Sequence, residues 1–165
     1  MRFNLRDKEE TLDVTLGLTL RRQEKKVIGL TSGCFDLIHF HHAHYFECCR
    51  RHCDVLIVGV DSDEMVRDEK GPTRPFIFDY KRMYMVDRMK DVAYAFIMHG
   101  LKDLETAAKL FMPDVLIRNS AFAGREHEVV GRQHAGKIVI VHDVEDYSST
   151  TATAKAVAER LARSA

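Results

Sequence analysis

The sequence predicts an α/β protein built on a doubly wound, five-stranded parallel sheet between layers of helices. Three observations lead there. Apolar runs at 27–31, 54–60, 92–98, 113–118 and 137–142 have strand length and lack alternation, as strands buried on both faces do. Segments of helical period separate most of them, which implies right-handed crossovers and a parallel sheet. Polar clusters follow the first, second, fourth and fifth runs, at 33–42, 61–70, 118–122 and 148–151. Ligands bind beyond strand C-termini in such sheets, where the strand order reverses, so one site is expected there.

Each element has its own signal. Residues 11–25 read as an amphipathic helix with Leu12, Leu16 and Leu20 four apart and Arg21, Arg22 and Lys25 near its end, where cations suit the dipole. Gly17 weakens it. The first strand, 27–31, leads through Gly33 into a helix over 43–52. Strand 54–60 precedes a polar loop, 61–78, containing Gly71, Pro72 and Pro75. Asp79 reads as the N-cap of a helix through Met89. Strand 92–98, a helix over 101–111 and strand 113–118 follow. Residues 119–126 read as loop, 129–134 as at most a short helix, and 137–142 as the fifth strand. The turn at Tyr147 would cap a final helix to about Arg163.

The 165 residues suit one domain, 1–165, with 1–25 as an N-terminal helical extension. Charge is balanced, 25 basic against 25 acidic residues, which argues against general attraction to nucleic acid or an acidic membrane surface. No apolar run approaches the ~20 residues of a membrane span, and the charged start lacks a signal-peptide core. A cytoplasmic location with reduced thiols at Cys34, Cys48, Cys49 and Cys53 is expected.

The first strand-to-helix turn is the richest stretch, Thr31-Ser-Gly-Cys-Phe-Asp-Leu-Ile-His-Phe-His-His42. A helix start offers free N–H groups and partial positive charge to a phosphate. His39 and His42 are three apart and share a face. From the residues alone the turn suggests a nucleotide or phosphate site.

The segment Gly33-Cys-Phe-Asp-Leu-Ile-His-Phe-His-His resembles the G-x-F-D-x-x-H-x-G-H signature of the cytidylyltransferase-like nucleotidyltransferases. Val58-Gly-Val-Asp-Ser-Asp63, Lys70-Gly-Pro-Thr-Arg-Pro75 with Arg82, Pro113-Asp-Val-Leu-Ile-Arg118 and Ser148-Ser-Thr-Thr151 are similar to four further motifs of that family, in order. The likeness spans nearly the whole chain and is nearest to adenylyltransferase domains acting on heptose 1-phosphate. It implies a Rossmann-like, three-layer fold of the HxGH nucleotidyltransferase type. It also implies an enzyme that moves a nucleotidyl group from ATP, or CTP, to a small phosphorylated sugar or alcohol. Mg²⁺ would accompany the triphosphate, with no metal ligated by protein side chains alone. Such relatives are often homodimers.

The resemblance also implies roles. His39, His42 and Lys70 would contact the reacting phosphates. Thr31, Ser32, Gly33, Cys34, Phe35, Arg118, Ser148, Ser149, Thr150 and Thr151 would bind the nucleotide. Asp36, Asp61, Asp63, Arg74 and Arg82 would bind the acceptor; for Asp36 a structural role, holding its turn through backbone hydrogen bonds, is preferred to that of a general base. Two departures stand out. His41 occupies the signature's glycine position, and Asn119-Ser-Ala-Phe122 follows Arg118 where relatives continue G-G-D-Y. His41 and His44 are expected to be incidental or acceptor-facing. Competing readings are a nucleotide-binding module without catalysis and a metal site built from the histidines or the Cys48/Cys49/Cys53 cluster.

Overall fold

The computed structural model describes residues 1–142. Ser148, Ser149, Thr150, Thr151 and the expected final helix lie outside the described residues. Helix α1 (Lys8–Gln23) precedes strand β1 (Ile28–Gly33) and helix α2 (Phe40–Arg50). Strand β2 (Val55–Asp61) leads to α3 (Asp63–Lys70) and α4 (Asp79–Asp87). Then come β3 (Tyr94–Met98), α5 (Leu101–Phe111), β4 (Val115–Asn119) and β5 (Lys137–Val141).

The sheet order is β3-β2-β1-β4-β5, with every pairing parallel. The chain winds outward from β1 through β2 to β3, then returns across β1 to start β4. The order therefore reverses between β1 and β4, and a crevice opens at their C-terminal ends. Alternation divides the strand side chains between two cores. Ile28, Leu30, Val55 and Ile57 pack with Val14, Leu18, Leu104 and Phe111 on the α1/α5 side. Leu56, Val58, Val60 and Ile117 pack with Phe46, Cys49 and Val86 on the α2/α4 side. These are the expected three layers.

Two elements differ from expectation. Residues 61–78 are not one loop, since α3 occupies much of them. Ser62 caps α3 by accepting from the Met65 N–H at 3.3 Å, Asp63 and Glu64 open it, and Arg67 and Lys70 close it. Only Val66 of α3 is buried, so the apolar period that normally betrays a helix is missing. Helix α1 starts three residues early, because Asp7 caps it through the N–H groups of Glu9 and Glu10. It also buries a different face: Thr11, Val14 and Leu18 turn inward, while Leu12, Leu16 and Leu20 are 67 %, 58 % and 52 % exposed. A Cβ on Gly17 would stand 3.0 Å from the Tyr94 hydroxyl. The small residue therefore chooses the face that can approach β3.

Phe46 anchors α2 and is wholly buried against Phe35, with ring centroids 5.0 Å apart. Phe46→Ala is expected to lower unfolding free energy by about 3–5 kcal/mol in urea titrations.

Candidate functional site

A cavity of about 350 Å³ fills the crevice at the C-terminal ends of β1, β2 and β4. Its floor is the turn from Ser32 to Asp36, and one wall is the first turn of α2. That wall is made of imidazoles. His39 is the N-cap of α2, and His39 and His42 form a reciprocal capping pair. The His39 Nδ1 accepts from the His41 N–H, and the His42 Nδ1 accepts from the His39 N–H, both at 3.3 Å. An Nδ1 that accepts leaves the ring proton on Nε2. Burial, with help from each other and from Lys70, pushes His42 down to about 4, and burial also lowers His39. Both rings are therefore neutral near pH 7 and present Nε2–H donors.

The turn is held from beneath. Phe35 and Leu37 have φ of 49° and 52°, a strained region for bulky residues. Between them the buried Asp36 carboxylate accepts from Arg74 Nε at 2.8 Å and from the Phe76 and Ile77 N–H groups at 2.9 and 3.1 Å. Arg74 is itself buried in this pair. Asp36 and Arg74 thus hold the turn, the structural role read for Asp36, and Asp36 also lines the cavity while Arg74 does not. Arg82 is 1 % exposed. It donates to the carbonyls of Cys34 and Ile77 and to the Asp63 carboxylate. Asp63 also accepts from the Asp79 N–H, and Asp79 returns the bond to the Asp63 N–H. Asp79 is therefore a strut between α3 and α4, and Phe78 holds the N-cap position. Arg82 and Asp63, expected to bind the acceptor, lie outside the cavity lining, and the nitrogens of Arg82 and one oxygen of Asp63 are taken up by these bonds. The Thr31 side chain is likewise buried, 2.8 Å from the Tyr45 hydroxyl, and does not face the cavity.

The opposite wall carries charge. Arg118 donates to the Ser32 hydroxyl and lies 4.2 Å over the Phe122 ring. Lys70, Glu69 and Asp61 complete the lining. Burial, then the nearby Glu69, pushes Asp61 up to about 6. Among the described residues, no group of three or more His, Cys, Asp or Glu is placed to hold a metal ion. No helix among them is long and apolar enough to cross a membrane.

Residues 30–156, more than half of the chain, match the Cytidylyltransferase-like family. The chain belongs to that family. Curated relatives include the Bifunctional protein HldE of Desulfatibacillum aliphaticivorans, 38 % identical over 134 residues that cover 79 % of this chain and 27 % of that protein. The protein of the same name from Syntrophotalea carbinolica is 30 % identical over 160 residues, covering 94 % and 31 %. The chain thus spans less than a third of these relatives. Among solved structures, a lipopolysaccharide core biosynthesis protein from Thermoplasma volcanium superposes with a TM-score of 0.61 at 22 % identity, over 73 % of this chain and 99 % of that one. A pantothenate synthetase from Thermus thermophilus gives 0.53 at 13 %, over 88 % and 63 %. Both share the fold.

Of the signature residues of this cytidylyltransferase-like domain, the cavity gathers Ser32, Gly33, Cys34, Phe35, Asp36, His39, His42, Asp61, Lys70 and Arg118. It also takes in Tyr45, Glu69 and His41, which residue-by-residue reading left out or set aside. Tyr45 lies three residues past His42, so helical spacing was its available signal, whereas Glu69, adjacent to Lys70 in α3, had none.

Arg82→Ala is expected to cost about 2–4 kcal/mol of stability in urea melts, because it strands a half-buried carboxylate and two carbonyls and empties a buried site. An acceptor contact would leave stability near wild type. The depressed His42 gives a pH signature. Below pH 6.5 the unfolded chain binds a proton that the folded ring refuses. Its contribution is complete above 6.5 and is lost as pH falls toward 4. Stability of the wild type relative to His42→Gln should therefore drop by about 2–3 kcal/mol across that window. Asp61 acts in the opposite sense between 3.8 and about 6 but is common to both proteins.

Proposed function

We propose that this chain transfers a nucleotidyl group from a nucleoside triphosphate, ATP in preference to CTP, to a small phosphorylated sugar or alcohol. The observation that carries the reading is the pair of neutral imidazoles at the start of α2, both with the proton on Nε2, in a cavity at the reversal of strand order. Family membership and the relatives named HldE support it.

The chemistry is direct displacement. An oxygen of the acceptor phosphate forms a bond to the α-phosphorus, the bond from that phosphorus to the bridging oxygen breaks, and pyrophosphate departs with the electron pair. The nucleophile is already anionic, so no general base is required. Catalysis then consists of alignment and stabilisation of charge that spreads over phosphoryl oxygens. His39 and His42 donate Nε2–H to those oxygens. Being neutral, they need no buried counter-charge when the site is empty. Lys70 supplies full positive charge from the end of α3. Arg118, held by Ser32 and stacked on Phe122, orients the nucleotide. Mg²⁺ fits this lining, since it prefers phosphate oxygens with one or two carboxylates, and Asp61 and Glu69 repel each other in the cavity. Those two carboxylates would hold it, and it would neutralise the triphosphate.

The test is a pyrophosphate-release screen with Mg²⁺, crossing ATP, CTP, GTP and UTP with sugar phosphates, polyol phosphates, phosphocholine and FMN. Release with ATP and a sugar phosphate is expected. Nucleotide binding without release on any acceptor would leave a binding module only. In the active combination, His42→Ala should cut kcat by about 10²–10³ while ATP affinity falls less than about tenfold, because its contact strengthens in the transition state.

A further inference from the structure

His41 lines the same cavity as His39 and His42, although its ring takes no part in the reciprocal cap that those two form. The aromatic rings on this wall form a row. The buried Phe35 touches His42 edge-on at 5.7 Å, and His42 lies 4.2 Å from His39. His39 meets His41 at 5.4 Å, and His41 meets the exposed Phe40 at 5.3 Å. The row therefore runs from the buried Phe35 to the exposed Phe40, with His41 as the cavity-lining imidazole nearest its exposed end. A chain of phosphates lying along this wall would meet the three rings in turn. Lys70, also in the lining, acts by its charge on His42 at the inner end of the row. Among the described residues, Lys70 and Arg118 are the lysine and arginine of the cavity lining. A side chain able to bond phosphate there adds grip on the part of the ligand farthest from the reacting phosphorus.

We infer that His41 is a third phosphate-binding side chain, which holds the terminal two phosphates of the triphosphate and the pyrophosphate formed from them. The inference rests on the nucleotidyl-transfer reading of this cavity. It assigns His41 a place the family signature leaves to glycine, and it names a ligand class: anything with a free pyrophosphate tail. Monophosphates, which end at the inner part of the row, should not sense it.

The experiment measures equilibrium binding, with Mg²⁺, of ATP, CTP, AMP, CMP and inorganic pyrophosphate to the wild type, His41→Gly, His41→Ala and His41→Gln. Thermal melts check that each variant is folded. The expected result is a loss of about tenfold in affinity for the triphosphates and pyrophosphate in the Gly and Ala variants, unchanged monophosphate affinity, and recovery of most of the loss by Gln, which keeps a donor. In steady state, the Ki of pyrophosphate as product inhibitor should rise in parallel with KM for the triphosphate, with kcat changed little. Equal losses for monophosphates and triphosphates, or unchanged pyrophosphate binding, would overturn the inference and leave the transferase reading intact. A wild type that bound neither triphosphate nor pyrophosphate would sink both. If Ala and Gly unfold, His41→Gln compared with a bulky apolar His41→Leu still decides between the outcomes, because a purely steric role predicts equal pyrophosphate binding by the two.

Discussion

The buried Asp36 carboxylate is the constraint on which the site depends. It sits between two residues forced to positive φ, a conformation that costs of order 1–3 kcal/mol each for side chains of this size. The turn keeps that shape because the carboxylate is tied to Arg74 and to two backbone N–H groups of the segment after α3. Loss of either partner would leave a buried charge uncompensated. The turn that carries the glycine and leads to the histidines is thereby bonded to the segment that follows Lys70. Arg82 makes a second tie in the same direction, from α4 to the Cys34 carbonyl, and Asp63 and Asp79 lock α3 to α4. One network of charges, lying beneath the cavity floor, fixes both of its walls.

This division of labour explains which charges are available. Asp36, Asp63, Arg74 and Arg82 neutralise one another beneath the floor. Besides Asp36, whose carboxylate Arg74 pairs, the lining sets Asp61 and Glu69 against Lys70 and Arg118. A polyanion arriving among two cations and a set of neutral donors gains attraction without the empty site having to bury a large net charge. The helix start of α2 adds its partial positive end to the same spot. Neutral imidazoles are the appropriate donors on the inner side, since protonated rings packed 4.2 Å apart would repel.

The strands and the position of the crevice were legible because parallel strands buried on both faces write unbroken apolar runs, and five of these stood in order. The strand-to-helix turn was legible through its glycine and paired histidines. What escaped was decided by tertiary contact. Leu12, Leu16 and Leu20 offer as good a stripe as Thr11, Val14 and Leu18, and only the approach of Gly17 to Tyr94 separates them. Helix α3 buries one valine, so its caps were its only signal. Arg74 and Arg82 look in sequence like any solvent-facing arginine near a site. Their burial follows from Asp36 and Asp63 being brought beneath the same turn, a contact across 38 and 19 residues that no local pattern encodes.

Lys70 shows why that network matters for chemistry. It is the last residue of α3, and Gly71 follows with φ +92° in open space, where a side chain would be strained. The helix is pinned at its start by the Ser62 cap and the Asp63–Arg82 pair, and the chain is pinned again at Arg74. Only three residues separate the ammonium-bearing residue from its second anchor. A cation on a long free loop would have to be ordered each time a triphosphate bound, at a cost of about 1–2 kcal/mol for each backbone residue fixed. Here the order is set in advance by interactions buried outside the cavity, so the electrostatic field that a transferring phosphoryl group needs is built into the folded chain.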